Sequence, residues 1–359
     1  MRTLTACLLT LGLAFSNSVC AEDRPAAKKP DGSGPAEQES RHLSNIRQVT
    51  SGLPRAGEGY FSPDGKSIVY QAYPVGYPFY QIYTQPLDAK VPTRVSTGRG
   101  RTTCSYFTVD GKQILFASSH TDPQMAETEL AARELAAKGG RRRYMWDFDK
   151  HMDIYRVKLD GTGLQRLTDA PGYDAEGSYS SDGKQIVFTS TRDGDPDLYI
   201  MEADGSNVRQ LTDVDGYDGG PFFSPDGQWV IFRSDRQEEH MLQLFAVSVD
   251  GKTEVQLTNN LKQVNWCPYF HPDGDYLVWS GADYSRGPQG AKFQLFTLEL
   301  QRQGNSLSGG EVTQITFQDS HDVLPVFSPD GTKLMWTSTR SEDESSQLWI
   351  ADWKRGAQQ

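Results

Sequence analysis

The stretch YFSPDGKSIVY at residues 60–70 returns near the end of the chain as VFSPDGTKLMWTSTR at 326–340, and four related copies lie between them. These are YFTVDGKQILFASS at 106–119, SYSSDGKQIVFTSTR at 178–192, FFSPDGQWVIFRSDR at 222–236 and YFHPDGDYLVWSGAD at 269–283. A Ser-Pro-Asp-Gly turn between two strand-forming runs is a tight hairpin. The hairpin aspartates, Asp64, Asp110, Asp182, Asp226, Asp273 and Asp330, recur about 45 residues apart except where an insertion intervenes. Self-similarity at that period marks a radial repeat.

Each copy reads as four strands. The inner strand runs into the hairpin, and the second leaves it, as in Gln185-Ile186-Val187-Phe188. A third follows, such as Asp197-Leu198-Tyr199, and the fourth is of the type Gln210-Leu211-Thr212. Four strands per repeat is the unit of a propeller blade. The sixth copy stops at Trp353 without a fourth strand, while Arg47-Gln48-Val49-Thr50 is a fourth strand with no blade before it. Pairing the two closes the ring and removes the open edge of a linear array. The expected fold is all-β: one six-bladed β-propeller of four-stranded blades over residues 44–353, closed by the N-terminal strand, with a short tail at 354–359.

The hairpin motif with its following aliphatic strand, Thr-Ser-x-Arg and Asp-Leu-Tyr resembles the TolB-type β-propeller repeat across residues 44–353. That resemblance implies the propeller fold, and it implies lipoprotein and translocation partners as the type of ligand. TolB proper carries an α/β domain before its propeller, whereas only a short stretch precedes the first strand here, so nothing that rests on that domain carries over.

Composition agrees with an all-β reading: 359 residues with 34 Gly, 16 Tyr, 16 Phe and 7 Trp. A formal charge of −11 argues against nucleic-acid partners, since the global field repels phosphate. Arg2, an apolar run from Leu4 to Phe15 and the Val19-Cys20-Ala21 end read as a signal peptide, residues 1–21, cleaved before Glu22. Asn17-Ser18-Val19 lacks the pattern of a lipid-attachment site at Cys20. With no later stretch long enough to span a membrane, the mature protein is expected to be soluble, monomeric and periplasmic or secreted. Residues 22–43, rich in Pro, Ala, Gly and charge, are expected to be a disordered tether.

Two places carry chemistry. The insertion at 122–150, in the second blade, begins as a helix with Asp122 as N-cap and Pro123 in the first turn. It continues into Arg141, Arg142, Arg143, Tyr144 and Trp146, a cationic and aromatic strap read either as a structural tie or as a partner-binding lid. Eight residues before the hairpin aspartates stand Asp174, Asp218, Asn265 and Asp322, with Ala56 and Thr102 in the first two blades, and Glu176 and His321 lie beside them. If these ring the channel mouth, they either cap backbone N–H groups or converge on a hard cation such as calcium, with Asp174, Asp218 and Asp322 as the ligands. His120, His151, His240 and His321 fall on this same side but lack the spacing of a zinc motif.

Cys104 and Cys267 take equivalent places in opposed blades, so they are expected to be separate buried thiols rather than a disulfide. There is no Gly-x-Ser-x-Gly elbow, phosphate loop or dinucleotide fingerprint. The leading expectation is an exported scaffold that binds a protein or envelope component through the insertion-bearing face. The alternative is a lyase or hydrolase acting on a polysaccharide or peptide at the same mouth. It would use Asp218, Asp322 or His321 as base and a bound cation as electrophile.

Overall fold

The computed structural model describes residues 33–89, 91–138, 148–303 and 306–356. They form six four-stranded antiparallel sheets. Blade 1 comprises Ala56–Phe61, Ser67–Ala72, Gln81–Pro86 and Thr93–Arg94, and blade 2 comprises Thr102–Phe107, Gln113–Ser118, Asp153–Lys158 and Gln165–Arg166. Blade 3 is Asp174–Tyr179, Gln185–Ser190, Asp197–Glu202 and Arg209–Gln210, and blade 4 is Asp218–Phe223, Trp229–Ser234, Gln243–Ser248 and Glu254–Gln256. Blade 5 has Gln263–Phe270, Tyr276–Asp283, Gln294–Gln303 and Ser306–Gln314. Blade 6 takes Asp322–Phe327, Lys333–Ser338 and Gln347–Trp353 from the end of the chain and Leu43–Gln48 from its start.

The hairpins form because Asp-Gly satisfies itself locally. In blade 1 the Asp64 carboxylate accepts from the Ser62 hydroxyl at 2.6 Å and from the Lys66 N–H at 3.1 Å, and the turn closes at Gly65. Thr108–Asp110, Ser180–Asp182, Ser224–Asp226 and Ser328–Asp330 repeat the arrangement. In blade 5, His271 takes the serine's place, with its ring stacked on Tyr276 and Nδ1 2.9 Å from Asp273.

Second strands are buried on both faces rather than on alternate positions, because a blade is sandwiched between two others. Phe116, Phe188, Phe232, Trp279 and Trp336 are all fully buried there. Each such side chain contributes about 2–3 kcal/mol of transfer free energy. The core is accordingly divided among the seams. One cluster joins Val187, Leu198 and Ile200 of blade 3 to Phe223, Val230 and Phe232 of blade 4. Each inner strand packs against those of both neighbouring blades, so the ring is closed.

The closure is the one expected, and it starts earlier in the chain. Leu43 pairs with Trp353 and Gln48 with Trp349, and the Val49 N–H donates to the Leu348 carbonyl at 2.8 Å. Within the stretch 22–43 read as a disordered tether, residues 33–43 are instead ordered. Helix α1 (Pro35–Glu39) seats Glu39 against the last blade, where its carboxylate accepts from the Phe317 N–H at 2.9 Å and from Arg340 at 3.4 Å. Composition understated this stretch because a few contacts fix it: the buried Glu39 carboxylate, the His42 ring stacked on Trp353 and Leu43 in the core. Helix α2 (Met125–Ala137) starts where expected, with the Gln124 N–H donating to the Asp122 carboxylate at 2.9 Å. It lies against blade 1: Glu129 accepts from the Tyr77 hydroxyl at 2.6 Å and Arg133 stands over the Tyr77 ring.

Glu39→Ala should lower stability by roughly 1–3 kcal/mol, because it strands a buried N–H and part of the Arg340 charge. A chain beginning at Ser51 should lose cooperative unfolding and aggregate through the bare edge of Gln347–Trp353. Urea unfolding reads both. An unchanged midpoint for Glu39→Ala would show that α1 is not part of the seam.

Candidate functional site

In a propeller the sheet faces pack blade on blade, so most strand positions look sideways and a distortion of the inner strand is one way to turn a residue toward the axis. Every inner strand carries such a distortion. Six residues before each hairpin aspartate the backbone enters the left-handed region: Glu58 (φ 48), Cys104 (φ 53), Glu176 (φ 61), Gly220 (φ 60), Cys267 (φ 54) and Leu324 (φ 56). The pairing register shifts at each of these sites, which are β-bulges. All six line a central cavity of about 50 Å³. One face of this chamber is stopped by residues two further along each strand. Tyr60, Tyr106, Phe222 and Tyr269 meet ring to ring at 5.0–6.3 Å, and the Tyr106 and Tyr269 hydroxyls lie 3.1 Å apart. This aromatic plug sits toward the hairpins, so the chamber faces the insertion side.

Electrostatics divide the chamber in two. On one side Arg233, from the second strand of blade 4, reaches in across Gly220, where a Cβ would stand 1.7 Å from its Nη1. Its Nη2 donates to Glu176 at 2.9 Å and to the Tyr217 hydroxyl at 2.6 Å. Tyr217 in turn donates to Glu176, and Tyr173 does so at 3.3 Å. On the other side Glu58 has no ion pair among the described residues. Burial pushes its carboxyl up to about 7, reinforced by the Glu176 charge and opposed by hydrogen bonds from the Cys104 thiol and N–H and by the Arg233 charge. Burial also raises the Cys104 and Cys267 thiols well above their ordinary range, and both cysteines are free.

The residues expected at the mouth are placed differently. Asp174, Asp218, Asn265 and Asp322 are at most 2% exposed and engage their own blades. Arg192 holds Asp174 at 3.1 Å, Arg236 holds Asp218 at 2.5 Å and Arg340 holds Asp322 at 2.6 Å. Asn265 accepts from the Trp279 indole at 2.9 Å and donates to Gln243. These positions lie on a sheet face, which directs them at the neighbouring strand rather than the axis. The three carboxylates read as calcium ligands are each neutralised by an arginine, and the structure does not bring them together. Glu176 does reach the channel. His321 is half-buried against Phe293, and burial followed by the Lys292 charge lowers its pKa, while Asp322 beside it points into the blade. Arg141, Arg142, Arg143, Tyr144 and Trp146 lie outside the described residues. Glu58 is the functional candidate the sequence reading passed over. Counting six rather than eight residues back from Asp64 finds it in the same row as the two cysteines.

At the insertion-side rim, an aromatic arc crosses blades 3 to 6. Phe148, where the insertion rejoins the blade, meets Tyr173 at 5.2 Å and Tyr217 at 6.0 Å. Arg233 lies between the Tyr217 and Trp266 rings, and Trp266 meets Phe293 at 5.9 Å. Phe293 continues the arc to His321 at 6.4 Å.

With fold and site in place, the comparisons with known proteins follow. The family model for the Tricorn protease N-terminal beta propeller domain matches residues 147–285. An uncharacterized protein of Agrobacterium fabrum is 31% identical over 144 residues, 40% of this chain and 39% of its own. A TolB homolog of Chlorobium luteolum is 25% identical over 146 residues, 37% of this chain and 33% of its own. The chain thus spans between a third and two fifths of these relatives' lengths. A candidate TolB from Agrobacterium tumefaciens superposes with a TM-score of 0.57 at 20% identity, over 86% of this chain and 97% of that one. TolB from Acinetobacter baumannii does so with a TM-score of 0.52 at 20% identity, over 84% and 64%. The architecture is therefore a TolB-like six-bladed β-propeller. Among the described residues no helix is long and apolar enough to cross a membrane.

The folded-state value of Glu58, about 7, lies above its ordinary 4.5. Its contribution is therefore present in full below pH 4.5 and is lost as pH rises through 7, a fall on the order of 3 kcal/mol. Glu58→Gln cannot ionise and should flatten that slope in thermal unfolding between pH 5 and pH 8, whereas an unaltered slope would place the titration elsewhere. Both thiols should resist a thiol reagent under native conditions and react together only on unfolding. Fast native labelling of either would contradict the burial described.

Proposed function

We propose that this chain is an exported TolB-like scaffold that binds a protein partner on its insertion-side face. The observation that carries this reading is the aromatic arc from Phe148 through Tyr217, Arg233 and Trp266 to Phe293. Tyr, Trp and Arg dominate the energetics of protein interfaces when they cluster near a central depression. Here they rim one, while the aromatic plug closes the same channel toward the hairpins. Phe148 is 42% exposed, which a residue serving only the blade core would not be. Export is supported by Arg2 and the apolar run to Phe15. The rigid ring holds the arc without internal rearrangement, so association loses little conformational entropy on this side of the interface.

Affinity capture from envelope extract, followed by titration of the captured protein, tests the reading. Phe148→Ala and Trp266→Ala should each weaken binding roughly tenfold or more. Val109→Ala, at an exposed hairpin corner on the opposite face, should leave it unchanged. Binding that fell with Val109→Ala and survived both rim substitutions would assign the partner to the hairpin face.

A further inference from the structure

Among the described residues the central chamber holds two carboxyls, those of Glu58 and Glu176, and one guanidinium, that of Arg233. That guanidinium is committed to Glu176 and Tyr217. Glu58 is 8% exposed, held in place by its backbone N–H, which donates to Thr337 Oγ1 at 2.9 Å, and its carboxyl faces the chamber with the Cys104 thiol and the Cys104 N–H as its donors among the described residues. Two more acceptors in the same lining are buried and have no hydrogen-bond partner among the described residues, Gln71 Oε1 and Ser105 Oγ. The rest of the lining is aromatic on one side, with Tyr60, Phe222 and Tyr269 in mutual ring contact, and aliphatic on the other, with Leu324, Pro325 and Val326.

A carboxyl, two neutral oxygen acceptors and a wall of π-faces are what an alkylammonium requires. It has three N–H donors to place and a charge that ring faces stabilise. A metal ion fits less well: among the described residues, the chamber's carboxylates and thiols do not gather three donor atoms within 4.8 Å of one another. The cavity of about 50 Å³ admits a head group the size of a water molecule or two. The aromatic plug leaves the insertion side as the way in. We propose that the chamber is a recognition site for a primary alkylammonium group, which pairs with Glu58 as Arg233 pairs with Glu176. The inference rests on the reading above in one respect: a partner docked on the rim arc is placed to deliver such a group as a lysine side chain.

Calorimetric titration of the intact protein with n-butylammonium chloride, and with an acetylated, amidated Gly-Lys-Gly peptide, tests it. The same peptide with norleucine in place of lysine is the control. Both ammonium probes should bind, and norleucine should not. Binding should release protons near pH 7, read from the dependence of the heat on buffer, because the cation drives Glu58 to its ionised form. Glu176 and Arg233 face Glu58 but are paired with each other, and burial raises the Tyr60, Tyr80, Cys104 and Cys267 groups around it so that they stay neutral near pH 7. The release should vanish by about pH 9, where Glu58 is ionised before binding.

Glu58→Gln should weaken both probes roughly tenfold or more and abolish the proton release. Should that variant fold poorly, the proton release of the unaltered protein still decides the matter. Binding of the peptide but not the free amine assigns the group to a polypeptide, and the reverse assigns it to a small amine. No binding of either, equal binding of norleucine, or a Glu58-dependent response to Zn²⁺ alone would overturn the site. Partner capture that survives Glu58→Gln but fails with Trp266→Ala would remove the ammonium site and leave the docking face standing.

Discussion

The seam between the two ends of the chain is the constraint on which the other features depend. Leu43–Gln48 supplies the outer strand of the sheet whose remaining strands lie between Asp322 and Trp353. Each blade is buried on two faces only because the ring is complete, and an open ring would expose one face of blade 1 and one of blade 6. The seam is therefore reinforced by more than ladder bonds. Thr50 Oγ1 donates to Gln347 Oε1 at 2.8 Å, and Glu39 reaches back to Arg340 and Phe317. A contact of such sequence separation forms late and rewards the chain only once all six blades are in place.

Closure also fixes the channel radius, and the bulges then decide what the channel contains. A residue in the left-handed region costs on the order of 1 kcal/mol when it is not glycine. Five of the six bulge residues here are not glycine, so the strain recurs around the ring and must be offset by the packing that the closed ring supplies. The bulge N–H groups are tied across seams, Glu58 to Thr337 and Leu324 to Ser280. One blade thus orients the channel residue of the next.

This geometry explains what could be read in the sequence. The hairpins, the blade count, the closing strand and the start of α2 are local or periodic, and each leaves a repeated signature such as Ser62-Pro63-Asp64-Gly65. The row at Asp174, Asp218 and Asp322 also repeats, and for that reason it is scaffold, each carboxylate matched by an equally repeated arginine at 192, 236 and 340. The site residues vary from blade to blade. Glu58, Cys104, Glu176, Gly220, Cys267 and Leu324 share a position but range over two acids, two thiols, a glycine and a leucine, and a regular strand of period two gives no sign that this position turns to the axis. The helix α1 was hidden for a related reason, since its anchors are a few side chains in a stretch whose composition is otherwise that of a linker.

The asymmetry of that row makes the symmetric wheel chemically uneven at its centre. Paired with the residue just before each bulge, the second strand carries Gln71, Ala117, Thr189, Arg233, Ser280 and Thr337 in turn. Only in blade 4 does that position carry a charge, and only there is the bulge residue a glycine, which gives the guanidinium its path to Glu176. In blade 1 that position is Gln71, paired with the residue before Glu58, and among the described residues Glu58 has no ion-paired cation and feels the Arg233 guanidinium only as a neighbouring charge. Beneath both lies the plug of Tyr60, Tyr106, Phe222 and Tyr269, which keeps bulk water from screening the chamber from below. A charge supplied at Glu58 would therefore act in a low-dielectric enclosure, where a single ion pair counts for more than it does on the surface.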